Sequence, residues 1–409
     1  MSIWLLPRLE LTPEQLRVVE MSHHEHKVIL GPPGSGKTQV LIHRACHLSE
    51  TYNLKPDQYR LFVFTNVVKE YIKSGIQFME LPEEVISTFD HWCRMIYEKN
   101  ISKKLPWKSK SIDFDEVRSG VLKFYKENPQ HQKQLSFVLV DEGQDLTPQV
   151  YEILSLVAEH ITVFADPQQK IFENGASDEF ILDKLGLKKC NASLLGAYRN
   201  APYVAQLASC FIEDEQKKSQ YLAQINTEQK IHQTPLCFVA DNFDIEMDRL
   251  AEIISQRQVM NERIGIIVPT NKQLYGFTKG LEQRGVTVEK AVPRTDDAGC
   301  DFGNAIPKIA TYYSAKGLTF DSVLLPRLTE SSFSWIDETT RLRLFFVGIS
   351  RATQWVYMST VKGKEFSEIE KLHDAETSGH LTLQYTYDSV QECKDENQDD
   401  IAEDDFSLF

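Results

Sequence analysis

The sequence predicts an α/β protein made of two lobes of parallel sheet. Three observations carry this expectation. Short β-branched runs alternate with longer segments of helical period, the runs are apolar almost throughout, and a glycine-rich motif follows the first of them. Strands buried on both faces read as continuous apolar runs, and strand–helix alternation places helices over both faces of a parallel sheet.

The first set of strands is read at KVIL (27–30), RLFVF (60–64), SFVLV (136–140) and TVFA (162–165). The second is LCFVA (236–240), IGIIV (264–268), SVLLP (322–326) and WVYMS (355–359). Helical patterns fill the gaps, for instance 37–48, 147–159 and 271–285. The expected organisation is lobe 1 over 1–195 with a small insertion at about 95–132, lobe 2 over 196–387, and a tail over 388–409. That tail is acidic and poor in aliphatics, which predicts disorder.

The chain has 409 residues and a formal charge of −14. Residues 391–409 alone hold eight acids against Lys394, a net of −7, so the overall charge does not exclude a local basic groove. Seven cysteines without a C-x-x-C pair read as reduced thiols, neither a disulfide framework nor a zinc site. No apolar run is long enough for a membrane span, and a cytoplasmic protein is expected.

Gly31-Pro32-Pro33-Gly34-Ser35-Gly36-Lys37-Thr38 fits G-x-x-x-x-G-K-[ST] and sits between a strand and a helix, the context of a P-loop NTPase. Backbone N–H groups of such a loop curl around phosphates, and the helix dipole adds to the field. Lys37 is expected on the β- and γ-phosphates of ATP and Thr38 on Mg²⁺. Asp141-Glu142-Gly143-Gln144-Asp145 follows a strand directly, so its carboxylates face the crevice at the sheet's C-terminal edge. Asp141 is the second candidate ligand for Mg²⁺, and Glu142 the residue that activates water.

Taken together, these motifs resemble the UvrD/Rep family of superfamily 1 helicases, and the remaining family segments follow in order along residues 11–352. Leu11-Thr-Pro-Glu-Gln15 is similar to the adenine-reading segment, with Gln15 in the reading position. Phe64-Thr65-Asn66 and Thr88-Phe89 resemble two segments that touch single-stranded DNA. Phe164-Ala-Asp166-Pro-Gln-Gln169-Lys-Ile-Phe172 resembles the coupling motif, which places Gln169 near the γ-phosphate and Phe172 on the DNA track. In lobe 2, Ala197-Tyr198-Arg199-Asn200 is similar to the segment with an adenine-stacking tyrosine and an arginine finger. Thr311 to Asp321, containing Lys316 and Gly317, resembles the next motif, implying strand contact for Lys316 and nucleotide contact for Gly317. Arg343 to Ala352 resembles the last, with Arg351 as the second finger. The resemblance implies two RecA-like lobes, ATP and Mg²⁺ between them, and single-stranded DNA as partner, with RNA ranked below it.

Several positions depart from the pattern. Gln39 stands where an arginine is common, Tyr313 where a histidine is usual, and Thr319 where a glutamate contacts the ribose. Glu-Asn-Gly-Ala follows Phe172 where the family offers an arginine–tryptophan pair, so one strong base-stacking platform is missing. Only 52 residues separate Phe89 from Asp141, and 21 separate Val288 from Ile309, so the large accessory insertions are absent.

Two further segments invite a function. The run Lys103-Lys104-Leu-Pro-Trp107-Lys108-Ser-Lys110 mixes cations with an aromatic, which suits phosphate contacts as well as it suits a solvated loop. Asp405 to Phe409 resembles a sliding-clamp docking peptide; docking to another protein, or no role, stands beside that reading. The leading expectation is a DNA-stimulated ATPase that translocates on or remodels single strands in repair, replication or defence, with a partner protein. The rival is a nucleotide-sensing subunit whose lobe closure controls a partner enzyme such as a nuclease.

Overall fold

The computed structural model describes residues 4–76, 79, 81–166, 175–194, 200–223, 225, 233–292 and 300–386. Lobe 1 contains β1 (Lys27–Leu30), β2 (Tyr59–Val63), β3 (Ile86–Thr88), a hairpin of β4 (Trp107–Lys108) and β5 (Ser111–Ile112), then β6 (Leu135–Val140), β7 (Ala158–Ala165) and β8 (Ala192–Ser193). Apart from the hairpin these form one sheet in the order β3-β2-β6-β7-β1-β8. Lobe 2 contains β9 (Leu236–Ala240), β10 (Ile264–Val268), β11 (Glu289–Ala291), β12 (Lys308–Thr311), β13 (Phe320–Leu325), β14 (Ala352–Val361) and β15 (Thr382–Tyr385). Their order is β11-β12-β10-β13-β14-β9-β15. Every pairing inside either large sheet is parallel, as the continuous apolar runs require.

Register sets the position of the site. Leu30 pairs with Ala165, Val63 with Thr88, and Val140 with both Phe62 and Val163. Five strands therefore end on one edge of the first sheet. There the chain emits the loop from Gly31, the segments at Phe64 and Phe89, the turn at Asp141, and Asp166. This edge is where open α/β sheets bind ligands.

Two strands run longer than expected from sequence. β7 starts at Ala158, so the preceding helix stops at Val157 where 159 was expected. Ladder pairing explains this: Leu135 lies beside Ala158 and Phe137 beside His160, and His160 is wholly interior. The His160 ring hydrogen-bonds the Thr162 hydroxyl at 2.7 Å and lies 3.2 Å from Arg44. Burial, then the Arg44 charge, pushes the imidazole down to about 3. Arg44 is itself fully buried and donates to the carbonyls of Val18, Val19 and Met21, binding the N-terminal helix to the sheet. In lobe 2, β14 starts at Ala352 because that residue already pairs with Phe320.

One apolar cluster joins the lobes. It runs from Val40, Leu41 and Val68 on lobe 1 helices to Tyr312, Leu318 and Phe345 in lobe 2. A second cluster, on the other face of the first sheet, is built around Phe62, Trp92, Val138 and Tyr151. The six described cysteines form no disulfide with one another. No helix among the described residues is long and apolar enough to cross a membrane.

Candidate functional site: a nucleotide cleft between the lobes

The phosphate loop is shaped by two left-handed glycines, Gly34 at φ 78° and Gly36 at φ 84°. Gly36 starts the helix Lys37–Thr51, and a Cβ there would fall 2.5 Å from the Gln15 amide nitrogen. Gln15 is buried; its Nε2 donates to the Ser35 carbonyl at 3.0 Å, and its Oε1 accepts from the Thr12 N–H. The residue expected to read adenine thus also braces the loop. Lys37 Nζ donates to the carbonyls of Gly31 at 2.7 Å and Pro32 at 3.0 Å, and lies 3.5 Å from Asp166. The Ser35 hydroxyl is fully buried and has no hydrogen-bond partner among the described residues.

Across the cleft, the Thr38 hydroxyl donates to Asp141 Oδ2 at 3.1 Å. Asp141 Oδ1 accepts from the Glu142 N–H at 3.1 Å. Glu142 sits at φ 53°, a left-handed conformation that costs a non-glycine residue about 1 kcal/mol or more. The neighbouring groups fix its carboxylate. Gln144 Nε2 donates to Glu142 Oε2 at 2.6 Å, and Gln144 Oε1 accepts from the Asp166 N–H at 3.0 Å. A role for Gln144 was not legible in sequence, although the alternation of acids and amides in DEGQD pointed to the segment.

Among the described residues, lobe 2 brings Lys316 and Arg351 to the cleft. Lys316 is wholly buried, ion-paired to Asp145 and 3.6 Å from Glu142. Its ammonium lies 5.7 Å from the Phe64 ring centre. Sequence placed Lys316 on the DNA strand; the structure buries it in the cleft, where the lobe 1 carboxylates Asp145 and Glu142 compensate a fully desolvated ammonium. Arg351 is 7% exposed, its Nε donating to the Val347 carbonyl at 3.1 Å. Burial lowers the Arg351 guanidinium, and Glu142, Asp166 and Asp141 counter that in turn.

The carboxylates respond in opposite directions. Desolvation, then the Glu142 charge, pushes Asp141 up to about 6, against the pull of Lys37 and the Thr38 hydroxyl. Burial also drives Glu142 upward, but Lys316, Lys37 and Arg351 outweigh it and hold Glu142 below the usual carboxylate range. Glu142 therefore stays ionised and able to accept a proton. The raised Asp141 is stabilised as a carboxylate by any added cation. A hydroxyl and a carboxylate converging beside a lysine-capped loop form an oxygen donor set suited to Mg²⁺.

The expected strand contacts divide. Asn66 is exposed, Phe64, Thr65 and Thr88 are half-buried, and all four lie on the sheet edge; Thr65 and Thr88 cap helices by accepting from the N–H groups of Val68 and His91. Phe89 is a correction: it is 4% exposed and packs 5.2 Å from Phe62 and 5.7 Å from Trp92, so it belongs to the core. As the first residue of the helix Phe89–Asn100 its side chain turns inward. Gln169, Phe172, Tyr198, Arg199 and Asp405–Phe409 lie outside the described residues.

Gly317 seals the lobe interface. It has φ 83°, and a Cβ would come 2.9 Å from the Val68 methyl on lobe 1. Gly317→Ala is expected to cost about 1–2 kcal/mol and to lower ATP turnover about tenfold or more by holding the lobes apart. Steady-state turnover beside a thermal melt checks this; unchanged turnover would show that the lobe contact does not matter.

A family model described as an AAA domain matches residues 15–174, from the loop-bracing glutamine to the end of the coupling segment. The chain is 22% identical over 388 residues to a putative ATP-dependent DNA helicase of Bacillus subtilis, covering 72% of this chain and 50% of that protein. It is 22% identical over 383 residues to a mitochondrial ATP-dependent DNA helicase of Saccharomyces cerevisiae, covering 70% of this chain and 54% of that one. It therefore spans about half the length of these curated relatives. The C-terminal domain of a possible DNA helicase from Lactobacillus plantarum WCFS1 aligns with 46% of this chain and 98% of its own at 17% identity and a TM-score of 0.35. Residues 15–174 thus match an AAA domain, and the chain as a whole is similar to ATP-dependent DNA helicases over about 70% of its length.

Proposed function

We propose that the chain is an ATPase whose cleft drives movement along, or remodelling of, single-stranded DNA in the cytoplasm, in partnership with another protein. The observation that supports this best is the convergence of Lys37, Thr38, Asp141 and Glu142 from one lobe with Lys316 and Arg351 from the other. Hydrolysis then depends on closure, because the cations that stabilise developing charge arrive from the opposite lobe.

The chain's own groups divide the work. Lys37 exchanges its loop carbonyl partners for phosphate oxygens. The loop N–H groups and the helix dipole hold the remaining phosphate charge. Thr38 and Asp141 are the residues that would hold Mg²⁺, which when bound would neutralise phosphate charge. Glu142, ionised and oriented by Gln144, takes the proton of the attacking water. Arg351 stabilises the transferring phosphoryl charge, and Gln15 contacts the base. By resemblance, Gln169 senses the γ-phosphate, Tyr198 stacks on adenine and Arg199 acts as the other finger. The strand lies over Phe64, Thr65, Asn66 and Thr88, with Phe172 added by resemblance. The C-terminal residues Asp405–Phe409 offer a docking peptide.

The test is steady-state ATPase activity without nucleic acid, with single-stranded DNA and with single-stranded RNA. Stimulation by DNA of roughly tenfold or more is expected, with less by RNA, and a steep loss of DNA affinity with salt. A rate unmoved by either polymer would remove the motor and favour a nucleotide-sensing switch acting on a partner.

A further inference from the structure

The sequence's basic run folds into a defined projection. β4 and β5 form an antiparallel hairpin, Trp107 opposite Ile112 and Lys108 opposite Ser111, with Ser109 at φ 57° in the turn. Leu105 and Ile112 anchor it by packing on the second core cluster, and the Asp113 N–H closes its base by donating to the Pro106 carbonyl at 3.0 Å. With the anchor already provided by Leu105 and Ile112, Trp107 is still 65% exposed. Leaving most of a tryptophan in water forgoes a large share of its burial energy, so its exposure needs another reason.

The charge pattern supplies one. Residues 101–112 contain four lysines and no acid, in a chain of net charge −14. Lys103, Lys104, Lys108 and Lys110 are all exposed, and none is in an ion pair among the described residues. The neighbouring cation behaves differently: Arg118 is neutralised by Asp90 and Asp115. Acids do occur at the hairpin's base (Asp113, Asp115 and Glu116), where Asp113 caps the next helix. The projecting end is purely basic.

Position completes the argument. Lys108 and Ser111 line one shallow cleft of about 240 Å³ with Asp113, Asp115, Arg118 and Asp90, the last of which lies two residues beyond Thr88. The hairpin therefore stands next to the edge that carries the candidate strand contacts Thr88 and Asn66. We infer that the β4–β5 hairpin is a second nucleic-acid contact: a strand leaving the Thr88 edge stacks a base on Trp107 and lays phosphates against the four lysines. The inference rests on the proposed strand binding. It also gives this chain a stacking platform of its own, where the segment after Phe172 lacks the usual one.

The experiment is fluorescence anisotropy of a labelled oligo-dT long enough to pass both sites, over a salt series. It compares the full chain with Trp107→Ala, Trp107→Phe and a quadruple Lys→Ala variant at 103, 104, 108 and 110. Trp107→Ala is expected to weaken binding about 5- to 150-fold, the range of one stacked base, and Trp107→Phe much less. The quadruple variant is expected to flatten the slope of log affinity against log salt by up to about 2.8, the single-strand value for four phosphates. Melting curves check folding, which exposed positions should leave intact. Affinity within twofold of the unmodified chain and an unchanged salt slope, in both Trp107→Ala and the quadruple lysine variant, would overturn the hairpin contact alone. Failure of the unmodified chain to bind oligo-dT would overturn the strand-binding reading and the hairpin with it.

Discussion

Glu142→Gln is expected to lower the ATP turnover number by about 10²- to 10⁴-fold, the range of a positioned general base. Nucleotide affinity should change little. The reason lies in what the substitution keeps. Glutamine preserves volume, and its carbonyl oxygen can still accept from Gln144, which now meets Glu142 Oε2 at 2.6 Å. The left-handed backbone at φ 53° and the Asp141 contact to the 142 N–H are equally retained. Lost are the negative charge and the capacity to take a proton. Single-turnover hydrolysis beside equilibrium binding of a fluorescent nucleotide separates the two. Turnover within threefold of the unmodified chain would remove Glu142 as the base; lost binding with normal single-turnover chemistry would make it a structural residue.

The parts that sequence revealed are those fixed by local chemistry. The phosphate loop was legible because only glycines reach φ near 80° at residues 34 and 36, and because lysine and threonine must follow directly. The parallel sheets were legible because strands buried on both faces contain almost no polar residues. What sequence missed depends on the meeting of distant residues. Phe89 reads as an exposed strand contact until Phe62 and Trp92 are seen to surround it. Gln144 gains its role only when the end of β7 brings the Asp166 N–H beside it. The extra length of β7 follows from the depth of Leu135 and Phe137 in the sheet, not from any signal in Ala-Glu-His. The lysine-rich run revealed its charges but not that a hairpin would hold Trp107 outward.

Lys316→Met is expected to separate the two tasks that one buried lysine performs. Its ammonium and the Asp145 carboxylate are both fully shielded from water, one from each lobe. Removing the cation takes from Asp145 the buried counter-charge of Lys316, and breaking a buried pair in this way costs about 3–5 kcal/mol. Since the pair spans the lobe interface, the loss falls on closure, and a melting midpoint lower by about 5–10 °C is expected. Adding Asp145→Asn removes the charge that faced Lys316, so the double variant should recover most of that stability, as uncharged replacements of buried pairs generally do. Turnover should not recover with it. Lys316 also lies 3.6 Å from Glu142 and is foremost among the three cations that hold that carboxylate low. Without it, desolvation acts on Glu142 with less opposition, and its pKa rises. The acid limb of the pH–rate profile should therefore shift to higher pH in both variants, because activity requires the ionised form and that form is now lost earlier as pH falls. A double variant that regained both stability and the original pH profile would confine Lys316 to holding the lobes together. Recovery of the melt alone would make it the residue through which lobe closure keeps the base charged.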